Sequence, residues 1–162
     1  MIRVLVADDH PLVREGLRRI IESCDDMLLA GEAATGEEAL ALMRLHPSVD
    51  VLVLDITMPG PGFIEILRRV RLARPEIAVL LLSMHPEDTF AIRALQAGAA
   101  GYLTKDRSSA DLTHAVRRVH AGGRYISESL AELLALEVDG RRERTAQLSE
   151  REYQVLCLLG AG

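Results

Sequence analysis

The 162 residues, 49% hydrophobic and 27% charged with a formal net charge of −5, describe one globular domain plus a fragment. The charge argues against broad electrostatic binding of nucleic acid, leaving room only for a small local basic surface. Cys24 and Cys157 lack the spacing of a disulfide framework or zinc site, and with no signal-peptide pattern and no run near the ~20 apolar residues of a membrane span, a cytoplasmic protein is expected.

Short apolar runs alternate with amphipathic stretches through the first 124 residues. RVLVA (3–7) opens the series, followed by a helical pattern with Leu12, Val13, Leu17, Ile20 and Ile21 on one face. LLAGEA (28–33) precedes a helix with Ala39, Leu40 and Met43 in register, and VLVLD (51–55) one with Ile64, Leu67 and Val70. IAVLLLS (77–83) leads to a helix carrying Ile92 and Leu95, and AGYLT (100–104) to one with Leu112, Ala115, Val116 and Val119. Runs this continuous in Val, Leu, Ile and Ala suit parallel strands covered on both faces. The order predicts an α/β chain, a (βα)5 doubly wound sheet of five parallel strands. Next, ISESLAELLALEV (126–138) reads as a short amphipathic helix with Ile126, Leu130, Leu133 and Leu134 on one side. EVDGRRERTAQ (137–147) is charge-dense and reads as a linker. LSEREYQVLCLLGAG (148–162) has Ser149 and Glu152 at capping-box spacing, with Val155, Leu156, Leu158 and Leu159 as an apolar face. A single amphipathic helix cannot bury its own apolar face, so this stretch reads as the start of a second domain. The expected boundaries are 1–124, 125–147 and 148–162.

Asp8, Asp9, Asp55, Ser83 and Lys105 all fall at or just after the carboxyl ends of the predicted strands, where doubly wound sheets place their sites. Three carboxylates in one pocket repel each other unless a cation lies between them, and oxygen ligands suit Mg²⁺. On this reading Asp55 is a nucleophile that attacks a phosphoryl group and becomes an acyl phosphate. Asp8 and Asp9 hold Mg²⁺, with Asp55 and the main-chain carbonyl of Thr57 completing its shell. Lys105 acts as a point charge toward Asp55 or the phosphoryl oxygens, and Ser83 donates its hydroxyl to the new phosphoryl group. Each position alone has an ordinary explanation: Asp9 before His10-Pro11 as a helix cap, Lys105-Asp106 as a solvated turn, Ser83 as a strand-end turn. Their coincidence at one sheet edge argues for a shared site.

The stretches VLVADDHPLVREGL (4–17), GEEAL (36–40), DVLVLDITMPG (50–60), LLSMH (81–85), ALQAGAAGYLTKD (94–106) and AVRRVHAGGRYIS (115–127) together resemble a receiver domain of two-component signalling. The resemblance is greatest to response regulators of the NarL/FixJ type. Residues 148–162 resemble the first helix of their LuxR-type helix-turn-helix output domain. The resemblance implies a flavodoxin-like receiver with Asp55 as phosphoacceptor, Asp8 and Asp9 as the acidic metal pair, Ser83 as the switch hydroxyl and Lys105 as the motif lysine. It further implies that Tyr102 is the aromatic switch and that Thr57 and His85 flank the phosphoryl group. His10, next to the acidic pair, reads as a loop residue and not a ligand, because the carboxylates favour a hard cation. The phosphodonor implied is a sensor histidine kinase, and the output is transcription control through DNA binding by a homodimer. The chain departs from the commoner pattern in carrying Asp106 where many receivers have proline. It also has Gly62-Phe63 where an acidic residue and glycine are usual, which leaves the shape of the loop after Asp55 open.

A non-enzymatic regulator is therefore expected. Two other classes compete: an aspartyl-phosphate phosphatase of the haloacid-dehalogenase kind, and a receiver acting through protein contacts alone. The first needs its nucleophile on the first strand with a second Asp two residues later. Here Asp55 lies on the third predicted strand and is followed by Ile56-Thr57.

Overall fold

A computed structural model describes residues 1–84 and 89–140. Five parallel strands, β1 (Ile2–Ala7), β2 (Met27–Ala33), β3 (Val51–Asp55), β4 (Ala78–Ser83) and β5 (Gly101–Thr104), lie in the order β2-β1-β3-β4-β5. They alternate with α1 (Pro11–Glu22), α2 (Gly36–Leu45), α3 (Phe63–Ala73), α4 (Thr89–Gln96) and α5 (Ser109–His120). The first compact unit is Met1–Ile126 and a second begins at Ser127.

Alternation along the strands divides the core into two layers. Val4, Val6, Val51, Val53, Leu80, Leu82 and Leu103 pack with Leu17 and Ile21 of α1 and with Leu112, Ala115, Val116 and Val119 of α5. The intervening strand residues, Leu5, Leu52, Leu54, Val79, Leu81 and Tyr102, are equally buried and point to the opposite face. Such two-sided burial is what makes the central strands read as unbroken apolar runs. At the β2 edge the pattern loosens, and Leu28 is half exposed.

Local chemistry sets the helix ends. Pro11 occupies the first turn of α1, where its missing N–H costs nothing. The Thr35 side chain caps α2 by accepting from the Glu38 amide, and Ser108 and Asp111 form a reciprocal capping box on α5. His10, not Asp9, is the N-cap residue of α1, and it makes no side-chain cap bond. Gly60 takes φ +99° in the loop after β3, and Phe63 becomes the half-buried first residue of α3.

Three expectations need correction. Leu12 is 84% exposed although the helical period groups it with the apolar face of α1; the side that meets the sheet centres on Leu17 and Ile21. In α3 the buried set is Ile66, Leu67 and Val70, with Ile64 only partly covered. The helix expected over 126–138 spans 128–140 instead. The Ser127 hydroxyl accepts from the Leu130 amide at 3.1 Å and so starts the helix after Ile126. Residues 137–140, expected to begin the linker, remain helical. The remaining linker, 141–147, and the expected second-domain helix, 148–162, lie outside the described residues.

The exposed edge of β5 is closed by residue 125. Tyr125 donates its amide to Ala100 O at 3.0 Å and accepts from the Tyr102 amide at 3.1 Å. This short parallel bridge forms because Gly101 has no Cβ; one added there would lie 2.9 Å from Tyr125 O and 3.0 Å from Leu80 Cδ1. Gly101→Ala is expected to lower unfolding stability by about 1–3 kcal/mol in urea titrations. A neutral result would show that the segment around 125 moves away without cost.

Candidate functional site

The ladder continues just beyond several strand ends and so fixes the residues that follow. The Asp8 amide donates to Ala33 O at 3.0 Å, that of Ile56 to Leu82 O at 3.1 Å and that of Lys105 to Ser83 O at 2.8 Å. Asp55 is the last residue of β3 and pairs in register with Leu82, while Ser83 pairs with Thr104. The carboxyl ends of β1, β3, β4 and β5 therefore meet at one edge, with Asp8, Asp55 and Ser83 fully buried.

Lys105 reaches into this edge with its side chain only 6% exposed. Its Nζ lies 2.8 Å from Asp8 Oδ2 and 3.2 Å from Asp55 Oδ2. Burial opposes the ammonium charge, but the contacts with Asp8 and Asp55 outweigh it and raise the Lys105 pKa above the ordinary lysine value. The two Asp55 oxygens have different surroundings. Oδ1 accepts from the Thr57 amide at 3.1 Å and from the Thr57 hydroxyl at 3.0 Å. Oδ2 faces Lys105, whose Nζ is 3.2 Å away. On the first strand, Asp8 Oδ1 accepts from the His10 amide at 2.8 Å, and Arg14 donates to Asp8 O at 2.6 Å.

The residues at this edge suit a hard cation. Asp8 Oδ2 and Asp55 Oδ2 share the Lys105 ammonium at 2.8 and 3.2 Å, and the buried Asp9 Oδ1 lies 3.1 Å from His10 Nδ1. One ammonium faces three carboxylates, so charge as well as bonding capacity is left over. Asp8, Asp9, His10 and Asp55 each offer one ligand atom to a cluster whose members all lie within 4.8 Å of one another.

The structure thus brings together Asp8, Asp9, Asp55 and Lys105, and it places Thr57 on the Asp55 carboxylate through its amide and hydroxyl. Ser83 sits buried at the end of β4 on the same edge. Tyr102 lies two residues before the end of β5 and is 1% exposed. His85 lies outside the described residues. His10 differs from expectation: although read as an ordinary loop residue, it turns Nδ1 toward Asp8 Oδ1 at 3.0 Å and Asp9 Oδ1 at 3.1 Å. Its position directly after the acidic pair was the one available signal. Arg14 has no sequence signal beyond its place on the first helix.

Buried carboxylates beside a lysine at the carboxyl edge of a doubly wound sheet form a site suited to a divalent cation. The family model described as the response regulator receiver domain matches residues 4–117. Response regulator GacA of Pseudomonas viridiflava is 43% identical over 98% of this chain and 75% of its own length. Response regulator UvrY of Escherichia coli K12 is 38% identical over all of this chain and 75% of its own. Among solved structures, a two-component response regulator of the LuxR family from Aurantimonas sp. SI85-9A1 superposes with a TM-score of 0.76 at 41% identity, covering 83% of this chain and 96% of that one. The chain belongs to the response-regulator receiver family, in the NarL/FixJ group of two-component transcription regulators with LuxR-type output.

Proposed function

We propose that Asp55 accepts the phosphoryl group and that Asp8, Asp9, Asp55 and the Thr57 carbonyl hold Mg²⁺ beside it. The observation that carries this reading is the cluster of Asp8, Asp9 and Asp55 carboxylates with the Lys105 ammonium beside two of them, which leaves negative charge for a cation to offset. A carboxylate oxygen of Asp55 attacks the phosphorus of a phosphohistidine on a sensor kinase. A P–O bond forms, the P–N bond breaks, and the released imidazole nitrogen takes up a proton. Mg²⁺, when bound, offsets the negative charge of the transferred oxygens. Thr57 orients the carboxylate through its two bonds to Oδ1. Lys105 places a positive charge beside Oδ2, where the incoming oxygens need it.

Ser83 lies at the end of the neighbouring strand and serves as the hydroxyl that follows the phosphoryl oxygens. Tyr102, one strand over, transmits that movement to the surface of α4, β5 and α5. The output is a homodimer whose paired helix-turn-helix units bind two DNA half-sites.

Sizing the chain with and without beryllofluoride and Mg²⁺ tests the site and the dimer together. The expected result is ¹⁹F evidence of bound beryllofluoride and a shift toward the dimer. Binding without a change in size would remove the dimer switch. Absence of binding would remove the phosphoryl site.

A further inference from the structure

Asp8 is the first residue past the last paired position of β1, Ala7. Its main chain is nevertheless held on both sides. The amide donates to Ala33 O at 3.0 Å, and the carbonyl, which has run out of strand, accepts from Arg14 Nη1 at 2.6 Å. That carbonyl belongs to the peptide unit whose nitrogen is the Asp9 nitrogen, and a peptide unit is planar. Fixing its oxygen therefore fixes the plane from which Asp9 leaves, and with it the direction of the Asp9 side chain relative to that of Asp8. The start of α1 gives little help, since His10 makes no side-chain cap bond and Pro11 has no amide to offer. Arg14 is half-buried in the first turns of that helix. Among the described residues it forms no ion pair with Asp8, Asp9 or Asp55, so it takes up no carboxylate oxygen and acts on the acidic pair through the main chain.

We propose that Arg14 is a positioning residue for phosphoryl acceptance: by holding Asp8 O it sets the Asp8–Asp9 peptide so that both carboxylates face one cation beside Asp55. The inference rests on the reading of Asp8, Asp9 and Asp55 as Mg²⁺ ligands and adds a residue that acts on them without touching the ion. Groups that orient metal ligands commonly change metal affinity by about 10–100-fold. A pure charge effect has the opposite sign. Arg14 is a cation close in the chain to the acidic pair, so if repulsion alone mattered, removing it would strengthen Mg²⁺ binding. Positioning weakens it instead.

The test is a calorimetric MgCl₂ titration of the full chain as wild type, Arg14→Met and Arg14→Lys, paired with rates of phosphorylation by acetyl phosphate across a range of Mg²⁺. Methionine keeps the apolar stem and drops the donor, whereas lysine keeps a charged donor without the planar fork. Arg14→Met should bind Mg²⁺ about tenfold more weakly, and its rate deficit at low Mg²⁺ should close at saturating Mg²⁺. Arg14→Lys should fall between, within about threefold of the wild type, and carries the test alone if Arg14→Met does not fold. Unchanged or tighter Mg²⁺ binding in the variants overturns the proposal, including the case in which only their urea stability falls. A deficit that saturating Mg²⁺ leaves open overturns it as well. In each of these cases the wild type still binds Mg²⁺ and is phosphorylated, so failure at Arg14 is distinguishable from failure of the site. A wild-type chain that binds no Mg²⁺ overturns both.

Discussion

Asp55→Asn is expected to abolish acid-labile phosphorylation of the chain by acetyl phosphate or a cognate kinase. An amide oxygen is a far poorer nucleophile than a carboxylate and cannot form the acyl phosphate. The substitution keeps the shape of the side chain, so an oxygen can still accept from the Thr57 amide and hydroxyl, which hold Oδ1 at 3.1 and 3.0 Å. The amide nitrogen then takes the place of Oδ2, 3.2 Å from Lys105. Lys105 loses one of its two partners but keeps Asp8 Oδ2 at 2.8 Å. The protein should therefore remain folded while losing its acceptor, which circular dichroism and phosphate-affinity electrophoresis would separate. Stoichiometric labelling of the variant would move the acceptor to another carboxylate.

Lys105→Met is expected to have the largest effect on stability. The wild-type ammonium lies between the fully buried Asp8 and Asp55 carboxylates. Methionine retains the apolar stem but removes the charge, leaving those carboxylates and Asp9 to repel each other. Removing one member of a buried charged group costs about 3–5 kcal/mol when the others stay ionised. Saturating Mg²⁺ should restore part of the loss, because the cation supplies charge at the same carboxylates. Urea denaturation of the wild type and Lys105→Met, with and without MgCl₂, would show this as a stability gap that narrows on adding metal. A gap unaffected by Mg²⁺ would mean that Lys105 contributes by packing and that the metal does not share its carboxylates.

Much of the architecture was legible because the central strands are buried on both faces. VLVLD at β3 and AVLLLS at β4 stand out from their amphipathic neighbours, and the alternation of runs and helices forces a parallel, doubly wound sheet. Strand polarity then put Asp8, Asp9, Asp55, Ser83 and Lys105 at one edge without any knowledge of distance. Less was legible where one residue's exposure depends on the rotation of a helix. Leu12 fits the apolar stripe of α1 yet faces solvent, and Ile66 rather than Ile64 is buried in α3. Periodicity gives a face to within a residue or so, while the neighbouring element decides which edge of that face is covered. The helix after Ile126 shows the same limit at its ends: a Ser127 cap starts it late, and a polar stretch that reads as linker continues it to residue 140.

The order of elements, the parallel sheet and the strand ends that carry the acidic pair, the third aspartate, the serine and the lysine are all written in the amino-acid sequence. These follow from hydrophobic period and chain order, which are local properties. Packing in three dimensions is what sets Lys105 between Asp8 and Asp55, Thr57 on one Asp55 oxygen, Tyr125 along the β5 edge at Gly101 and the His10 ring beside the acidic pair. Each depends on the distance between groups from separate segments or on the path of one loop, and no pattern along a single chain encodes either.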